Sequence, residues 1–204
     1  MELSSINQYI GNVDIYLLDQ ILKNKFQPGM KVLDAGCGEG RNLIYFLNSG
    51  FDVYGVDTSI AAVKALRFIA GSIRPDLHRD QFQEGDIENL SYSDHSFDLI
   101  IASAVLHFAR NDRHFYKMFG ELVRCLKPGA MLFVRMTSDI GIEEKVAPGE
   151  SGRFLLPDGT ERFLLTRKIL LELVKRHSLI YLEEFKTVNV NDLRCMSTLI
   201  VTIP

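Results

Sequence analysis

Three glycines at alternate positions, Gly36, Gly38 and Gly40, follow a short apolar stretch and the acidic Asp34. Glycine reaches positive φ angles and lets a ligand approach the main chain without meeting a Cβ atom. The helix expected after the glycines offers backbone N–H groups that have no partner within the helix. The run therefore predicts a strand, a tight loop and a helix start, arranged to bind a nucleotide-type ligand. The alternative is that the glycines only form a turn between strand and helix.

The spacing of the glycines separates this loop from two common phosphate-binding loops. A dinucleotide-binding fingerprint has the form G-x-G-x-x-G, and its third glycine would fall where this chain has Arg41. A Walker loop ends in Gly-Lys-Ser/Thr, whereas this loop ends in Glu39, Gly40 and Arg41 and follows an acidic strand residue. The loop therefore suits a ligand with a cation and hydroxyls, and S-adenosylmethionine carries both.

The stretch from Asp34 to Gly40 resembles the first motif of the class I S-adenosylmethionine-dependent methyltransferases. The resemblance runs from about residue 31 to residue 134. It implies an α/β fold: a Rossmann-like, seven-stranded, mostly parallel sheet with helices on both faces and an antiparallel last strand. Within the class, residues 38–42 are similar to the tellurite-resistance and ubiquinone-biosynthesis groups, which modify small molecules.

Apolar periodicity predicts alternating strands and helices, as in a parallel sheet with helices on both faces. Strands are expected at 31–34, 51–56, 81–84, 97–102, 131–135, 180–190 and 196–203. Helices are expected at 13–26, 42–48, 59–70, 113–126 and 166–177, with Ser59 and Thr166 as the N-caps of the third and fifth. The nearly continuous apolar run at 97–102 is typical of a central strand that is buried on both faces. Turns near 148 and 158 interrupt the alternation, and 153–156 with 161–165 resemble a hairpin.

Two further acidic residues follow predicted strands, where ligands bind in such folds. Asp57 lies 21 residues after Gly36 and suits a ribose diol, although it is also placed to end a strand or cap a helix. Asp86 and Ile87 follow the third strand, and the resemblance implies that they accept the adenine amino group and cover the ring. The alternative for Asp86 is a turn aspartate. The resemblance also implies cofactor contacts by the loop residues above (Asp34, Gly36, Gly38, Gly40) and by Thr58 and Ser103.

Methyl transfer from a sulfonium is a direct displacement, so alignment of the reacting atoms supplies most of the acceleration. A base is needed only when the acceptor must lose a proton. His107, just after the fourth predicted strand, is the best placed candidate, and a structural histidine is the alternative. Arg135 and Arg153 are candidates to hold an anionic acceptor. Their alternatives are a salt bridge for Arg135 and an exposed hairpin charge for Arg153.

The 204 residues are expected to form a single domain, with 1–28 as a helical flank or lid and 138–166 as an inserted hairpin near the acceptor. The formal charge of −3 offers no global basic field, so no nucleic-acid partner is expected. The three cysteines and five histidines are scattered, which argues against a disulfide framework or a metal site and favours the cytoplasm.

No signal peptide or membrane span is predicted, and the oligomeric state is left open. S-adenosylmethionine is thus the expected cofactor and a small molecule the expected acceptor. Two other functions remain as alternatives. One is a cofactor-binding module without transfer activity. The other is a nicotinamide-dependent oxidoreductase, which Arg41 at the third-glycine position disfavours.

Overall fold

A mostly parallel sheet runs through the centre of the molecule. The structure is a computed structural model that describes the backbone of residues 3–204 and the side chains from Ser5 onward. Its main strands are β1 (Lys31–Ala35), β2 (Asp52–Asp57), β3 (Phe82–Glu84), β4 (Phe97–Ser103) and β5 (Leu126–Ser138). Three short strands follow, β6 (Ala147–Pro148), β7 (Phe154–Leu155) and β8 (Glu161–Arg162), and then β9 (Ile180–Tyr181), β10 (Lys186–Val190) and β11 (Arg194–Thr202).

Two of the described helices precede β1, and the others lie between strands along the chain. The helices are α1 (Leu3–Ile10), α2 (Ile15–Leu22), α3 (Ile44–Asn48), α4 (Ile60–Ile73), α5 (Asp112–Cys125) and α6 (Arg167–His177). Local side chains explain where several of them begin. Ser59 accepts a hydrogen bond from the Ala62 N–H at the start of α4, and Thr166 accepts one from the Ile169 N–H at the start of α6. Both caps were predicted from the sequence and are confirmed.

The strand order in the main sheet is β10-β11-β5-β4-β1-β2-β3. The pairs β1 with β2, β1 with β4, β2 with β3 and β4 with β5 are parallel, and β11 is antiparallel to both β5 and β10. The two-residue β9 also pairs with β11. The predicted fold, with its antiparallel last strand, is confirmed. The order reverses between β1 and β4, and ligands in such sheets bind beyond the carboxyl ends of the strands at this point.

Two apolar layers cover the two faces of the sheet. In β4, Leu99 and Ile101 belong to the layer that contains α2, α3 and α4, whereas Ile100 and Ala102 belong to the layer that contains α5 and α6. Because successive strand side chains point to opposite faces, this alternation means that β4 is covered by helices on both sides. The prediction of a central strand at 97–102 is confirmed.

The structure differs from the sequence predictions mainly at element boundaries and in the insertion. The predicted helix at 13–26 is the shorter α2, preceded by the unpredicted α1. The predicted strand 131–135 is part of the longer β5, and the run 180–190 divides into β9 and β10. The predicted hairpin is present as β7 and β8, and β6 adds a third antiparallel strand. None of the helices in the described part of the chain is long and apolar enough to cross a membrane.

Candidate functional site

The glycine loop that follows β1 is held by close packing. Gly36 has φ +79°, and a Cβ atom there would lie 2.3 Å from Cγ2 of Val105. Gly40 has φ +85°, and its Cβ would lie 2.3 Å from Cδ1 of Leu66 in α4. Both positions therefore require glycine for two reasons, a positive φ and a neighbouring side chain. Part of the glycine pattern thus serves the turn itself, as the structural alternative proposed.

Asp57, at the end of β2, ties the glycine loop to α4. Its Oδ2 accepts a hydrogen bond from the Gly38 N–H at 2.8 Å, and its Oδ1 accepts one from the Ser59 N–H at 2.9 Å. Each carboxylate oxygen has a second lone pair for a further donor. Asp57 therefore orders the loop and still faces the space beyond the strand ends.

A cavity of about 360 Å³ lies beyond the carboxyl ends of β1, β2 and β4, and we name it the cofactor cleft. The structure brings five of the predicted binding residues together in its wall: Gly36, Asp57, Thr58, Asp86 and Ile87. The remaining wall is formed by Gly85, Ala104, Val105, Phe108, Arg110, His114 and Met118. Four other predicted residues, Asp34, Gly38, Gly40 and Ser103, lie outside this wall.

Asp34 lies fully buried at the end of β1. Neither of its carboxylate oxygens has a hydrogen-bond partner among the described residues. Burial raises the pKa of Asp34 to about 7, and the positive charge of Arg41 partly opposes that shift. A buried carboxyl without a partner is unfavourable unless something bound nearby compensates it.

Asp86 and His114 form the end of the cofactor cleft. Oδ1 of Asp86 accepts a hydrogen bond from the Glu88 N–H at 3.1 Å, as expected of a turn aspartate. The buried Nε2 of His114 lies 3.8 Å from that oxygen and has no hydrogen-bond partner among the described residues. Because Nδ1 of His114 accepts from the Arg110 N–H at 3.0 Å, the proton of the neutral ring is on Nε2. The cleft therefore presents an acceptor beside a donor.

The side chains of Asp86, Glu88 and His114 also come close enough to hold a metal ion, with their ligand atoms within 4.8 Å of one another. No metal site was expected from the spacing of residues along the chain. That spacing does not reveal this group, because His114 is distant in sequence from Asp86 and Glu88. Glu88 already forms ion pairs with Arg110 at 3.0 Å and Lys117 at 3.5 Å. The protonated Nε2 faces the carboxylate of Asp86. These contacts favour an ion-pair cluster over a metal site.

A buried polar network, missed by the sequence analysis, joins α2 to the sheet. Asp14, the N-cap of α2, lies 3.0 Å from Nη1 of Arg135 and accepts a hydrogen bond from the Ser103 hydroxyl at 3.2 Å. Arg41 approaches the same carboxylate at 3.8 Å. The guanidinium of Arg135 also lies over the Tyr16 ring. Ser103 and Arg135 therefore both contact the carboxylate of Asp14. The ion pair of Arg135 is consistent with the salt bridge considered for this residue.

A second cavity, of about 290 Å³, shares Ala104 with the cofactor cleft, and we name it the arginine cavity. Its wall consists of Ala104, His107, Arg135, Thr137, Leu156, Asp158, Thr160, Arg162, Val190, Arg194 and Met196. It receives residues from the segment after β4, from β5, from the β7–β8 hairpin, from the end of β10 and from β11. Arg162 and Arg194 were missed because no motif marks them.

His107 lines the arginine cavity but is a weak base there. Burial, together with the charges of Arg162 and Arg194, lowers the pKa of His107 to about 4. Its Nδ1 accepts from the Thr137 N–H at 3.4 Å, so the neutral ring carries its proton on Nε2. The arrangement makes His107 a hydrogen-bond donor toward the cavity.

Arg153 is not brought into either cavity. Its Nη2 donates to the Glu161 carbonyl oxygen at 2.7 Å, and its Nη1 lies 3.2 Å from the Glu161 carboxylate. Both contacts are inside the inserted hairpin, as in the alternative considered for this residue, but the side chain is half-buried rather than exposed.

Comparison with known proteins agrees with this architecture. Residues 33–134 match the family described as Methyltransferase domain. The chain belongs to this family. Demethylmenaquinone methyltransferase from Renibacterium salmoninarum is 34% identical over 107 residues, which are 52% of this chain and 41% of that protein. Malonyl-[acyl-carrier protein] O-methyltransferase from Pectobacterium atrosepticum is 29% identical over 134 residues, which are 66% of this chain and 47% of that protein.

This methyltransferase-family chain thus spans less than half the length of these two relatives. Among solved structures, magnesium protoporphyrin IX methyltransferase from Synechocystis PCC 6803 with bound SAH has a TM-score of 0.70. The match covers 100% of this chain and 89% of that one at 18% identity, so it supports the fold. The resemblance seen in the sequence is confirmed over nearly the same residues, 33–134.

Proposed function

We propose that this methyltransferase-family chain transfers the methyl group of S-adenosylmethionine to a small-molecule acceptor by direct in-line displacement. The observation that carries the proposal is the convergence of Gly36, Asp57 and Asp86 on one cleft at the switch point of the sheet. These residues lie at or just after the carboxyl ends of three strands, β1, β2 and β3. Their types suit the hydroxyls and the amino group of an adenosine.

In the proposed complex, Asp57 accepts hydrogen bonds from the ribose diol. Asp86 accepts from the adenine amino group, while Nε2–H of His114 donates to the adjacent ring nitrogen. Ile87 and Phe108 also line the cleft, and in the proposed complex they cover the ring. Asp34 lies behind the glycine loop, and its unpartnered carboxyl favours the cationic methionine end.

The displacement needs little from the protein beyond alignment. A lone pair of the acceptor forms a bond to the methyl carbon, and the carbon–sulfur pair returns to sulfur to give S-adenosylhomocysteine. A proton leaves only when the acceptor atom carried one. Holding the reacting atoms in line is the main contribution. We assign His107 a hydrogen bond to the acceptor rather than the role of a base, because its Nε2 is the protonated nitrogen.

The inserted segment 138–166 contributes to the acceptor side of the proposed site. It supplies Leu156, Asp158, Thr160 and Arg162 to the arginine cavity, which adjoins the cofactor cleft at Ala104. Residues 1–28 contribute Asp14, whose ion pair with Arg135 borders the same cavity. We therefore treat the whole chain as one functional domain. The scattered cysteines, with the negative net charge, support a cytoplasmic protein that acts without nucleic acid.

Calorimetry with S-adenosylmethionine, S-adenosylhomocysteine and NADH tests the cofactor. We expect the first two to bind and NADH to give no heat. Binding of NADH alone would refute the proposal. Transfer of a labelled methyl group to a panel of small acceptors then tests the reaction. Cofactor binding without transfer to any member of a broad panel would favour the binding module.

A further inference from the structure

The wall of the arginine cavity contains Arg162 and Arg194, and most of their N–H donors have no hydrogen-bond partner among the described residues. We propose that this cavity binds the acceptor and selects a compound with one carboxylate group, held by Arg162 and Arg194. The inference rests on the proposed function, since it names the acceptor class for the same reaction.

The position of the cavity suits an acceptor. It meets the cofactor cleft at Ala104, which has φ +60° and donates its N–H to the Arg135 carbonyl oxygen at 2.7 Å. The side chain at this junction is a single methyl group, so the two cavities are separated by very little protein. A molecule in the arginine cavity therefore lies next to the bound cofactor.

Arg162 is held in place while most of its donors stay free. Its Nη1 donates to the Glu161 carbonyl oxygen at 2.8 Å, and its guanidinium lies 5.1 Å from the centre of the Phe108 ring. Among the described residues, its Nε and Nη2 have no hydrogen-bond partner. An ordered guanidinium with free N–H groups is suited to a carboxylate.

Arg194 supplies the second charge from the start of β11. Its Nη1 lies 4.0 Å from Oδ2 of Asp158, too far for a hydrogen bond. Oδ1 of Asp158 already accepts from the hydroxyl and the N–H of Thr160. Arg194 therefore has donors to offer to a bound anion.

The charges in the wall favour a monoanion. Arg135 is neutralised by Asp14. The two positive charges of Arg162 and Arg194 and the one negative charge of Asp158 leave a single positive charge. His107 adds an N–H donor without a charge. The single negative charge of a carboxylate balances this net positive charge. A phosphate carries close to two negative charges, so it is not fully neutralised and is repelled by Asp158.

The apolar residues of the wall indicate which groups the rest of the acceptor can carry. Leu156, Val190 and Met196 supply apolar surface. The volume of about 290 Å³ is near the lower end of ligand pockets. The fitting acceptor is thus a small carboxylic acid with some apolar surface.

Binding of carboxylic acids and their neutral counterparts tests the proposal. The probes are small aromatic and aliphatic monocarboxylic acids, each paired with its primary amide, and inorganic phosphate. Binding is measured by saturation-transfer-difference NMR for the organic probes and by calorimetry for phosphate, with and without S-adenosylhomocysteine. We expect acids to bind at least about tenfold more tightly than their amides, because a charge-assisted bidentate contact is lost in the amide.

Variants identify the side chains responsible. The preference for acids should fall at least about tenfold in Arg162→Gln and in Arg194→Gln. It should persist in Arg167→Gln, a matched control on α6 whose side chain is 73% exposed and lies outside the cavity. Amides that bind as well as acids, a preference that survives both cavity variants, phosphate binding tighter than every acid, or no acid binding at all would each overturn the proposal.

The affinity for S-adenosylhomocysteine separates this inference from the proposed function. Arg194→Gln should retain it, since this side chain does not line the cofactor cleft. Arg162 lies over the ring of Phe108, a residue of that cleft, so Arg194→Gln is the variant that separates the two proposals. Absence of S-adenosylhomocysteine binding in the unmodified chain refutes the methyl-transfer proposal, and the preference for acids is then still measured on the unliganded protein.

Discussion

Asp57 accepts two backbone hydrogen bonds and also faces the cofactor cleft. At the scale of single residues, this double use is common in the site. Gly36 packs closely against Val105 and also forms part of the cleft wall. Asp86 accepts a turn hydrogen bond and also lines the cleft. The structural and functional readings of these residues are therefore not exclusive.

We expect Asp57→Ala to weaken S-adenosylhomocysteine binding about tenfold or more, since hydrogen bonds to charged groups contribute about 1.5 to 3 kcal/mol. Calorimetry measures the affinity, and thermal unfolding checks that the variant is folded. Asp52→Asn is the control, because Asp52 begins the same strand at its far end. Unchanged affinity in folded Asp57→Ala would remove Asp57 from the ribose contact.

His107 makes stability depend on pH. Its pKa in the folded chain is about 4, below the usual value of 6.5, so the unfolded chain binds the proton more readily. The contribution of this residue to the unfolding free energy is therefore fully present above pH 6.5, and it is lost as the pH falls toward 4. Between pH 7.5 and 4.5 the wild type should lose about 2 kcal/mol more unfolding free energy than His107→Gln.

Urea unfolding at several pH values measures this difference for His107. Equal pH dependence in the wild type and His107→Gln would show that the buried ring titrates normally. The glutamine retains an oxygen that accepts from the Thr137 N–H, so the variant keeps the local hydrogen bond.

At the scale of elements, the packing of α4 against the glycine loop depends on Gly40. A Cβ at Gly40 would meet Leu66, whereas Gly29, with nearly the same φ of +86°, has nothing within 4 Å of that position. Both Gly→Ala changes carry the strain of a positive φ, of about 1 to 2 kcal/mol. Gly40→Ala should cost about 1 to 3 kcal/mol more than Gly29→Ala. Denaturant unfolding of the two variants measures the difference, and equal losses would mean that Leu66 moves aside freely.

Elements whose signals are local were predicted well. Ser59 and Thr166 begin α4 and α6 as expected, because a cap is a contact between residues three apart. β5 was predicted too short, since the sequence at 127–129 contains proline and glycine and reads as a turn. Pairing of Leu126 with Phe97 in β4 extends the strand across these residues. Boundaries set by a partner strand are not visible in the strand's own sequence.

For the molecule as a whole, Asp14 links the N-terminal helices to β4 and β5 through Ser103 and Arg135. Its removal leaves the largely buried guanidinium of Arg135 without its partner. Asp14→Ala should therefore cost about 3 kcal/mol of unfolding free energy. Ser59→Ala, which removes only a helix cap, should cost about 1 kcal/mol.

Urea unfolding compares these variants, and adding Arg135→Gln to Asp14→Ala should recover part of the loss because the unpaired charge is gone. If Asp14→Ala cost no more than Ser59→Ala, the network would contribute nothing beyond capping.

The sequence alone determined the fold class, the glycine loop and the acidic residues after β2 and β3, because periodicity and strand-end motifs are written in neighbouring residues. The arginine cavity, in contrast, is formed by tertiary contacts between segments that are distant in sequence. Pairing of Met196 with Thr137 aligns β11 with β5, and the inserted hairpin folds back over their ends. Arg162 and Arg194, which are 32 positions apart in the chain, thereby reach one cavity. Contacts set by strand register and chain crossing leave no local pattern, so Arg162 and Arg194 could not be identified from the sequence.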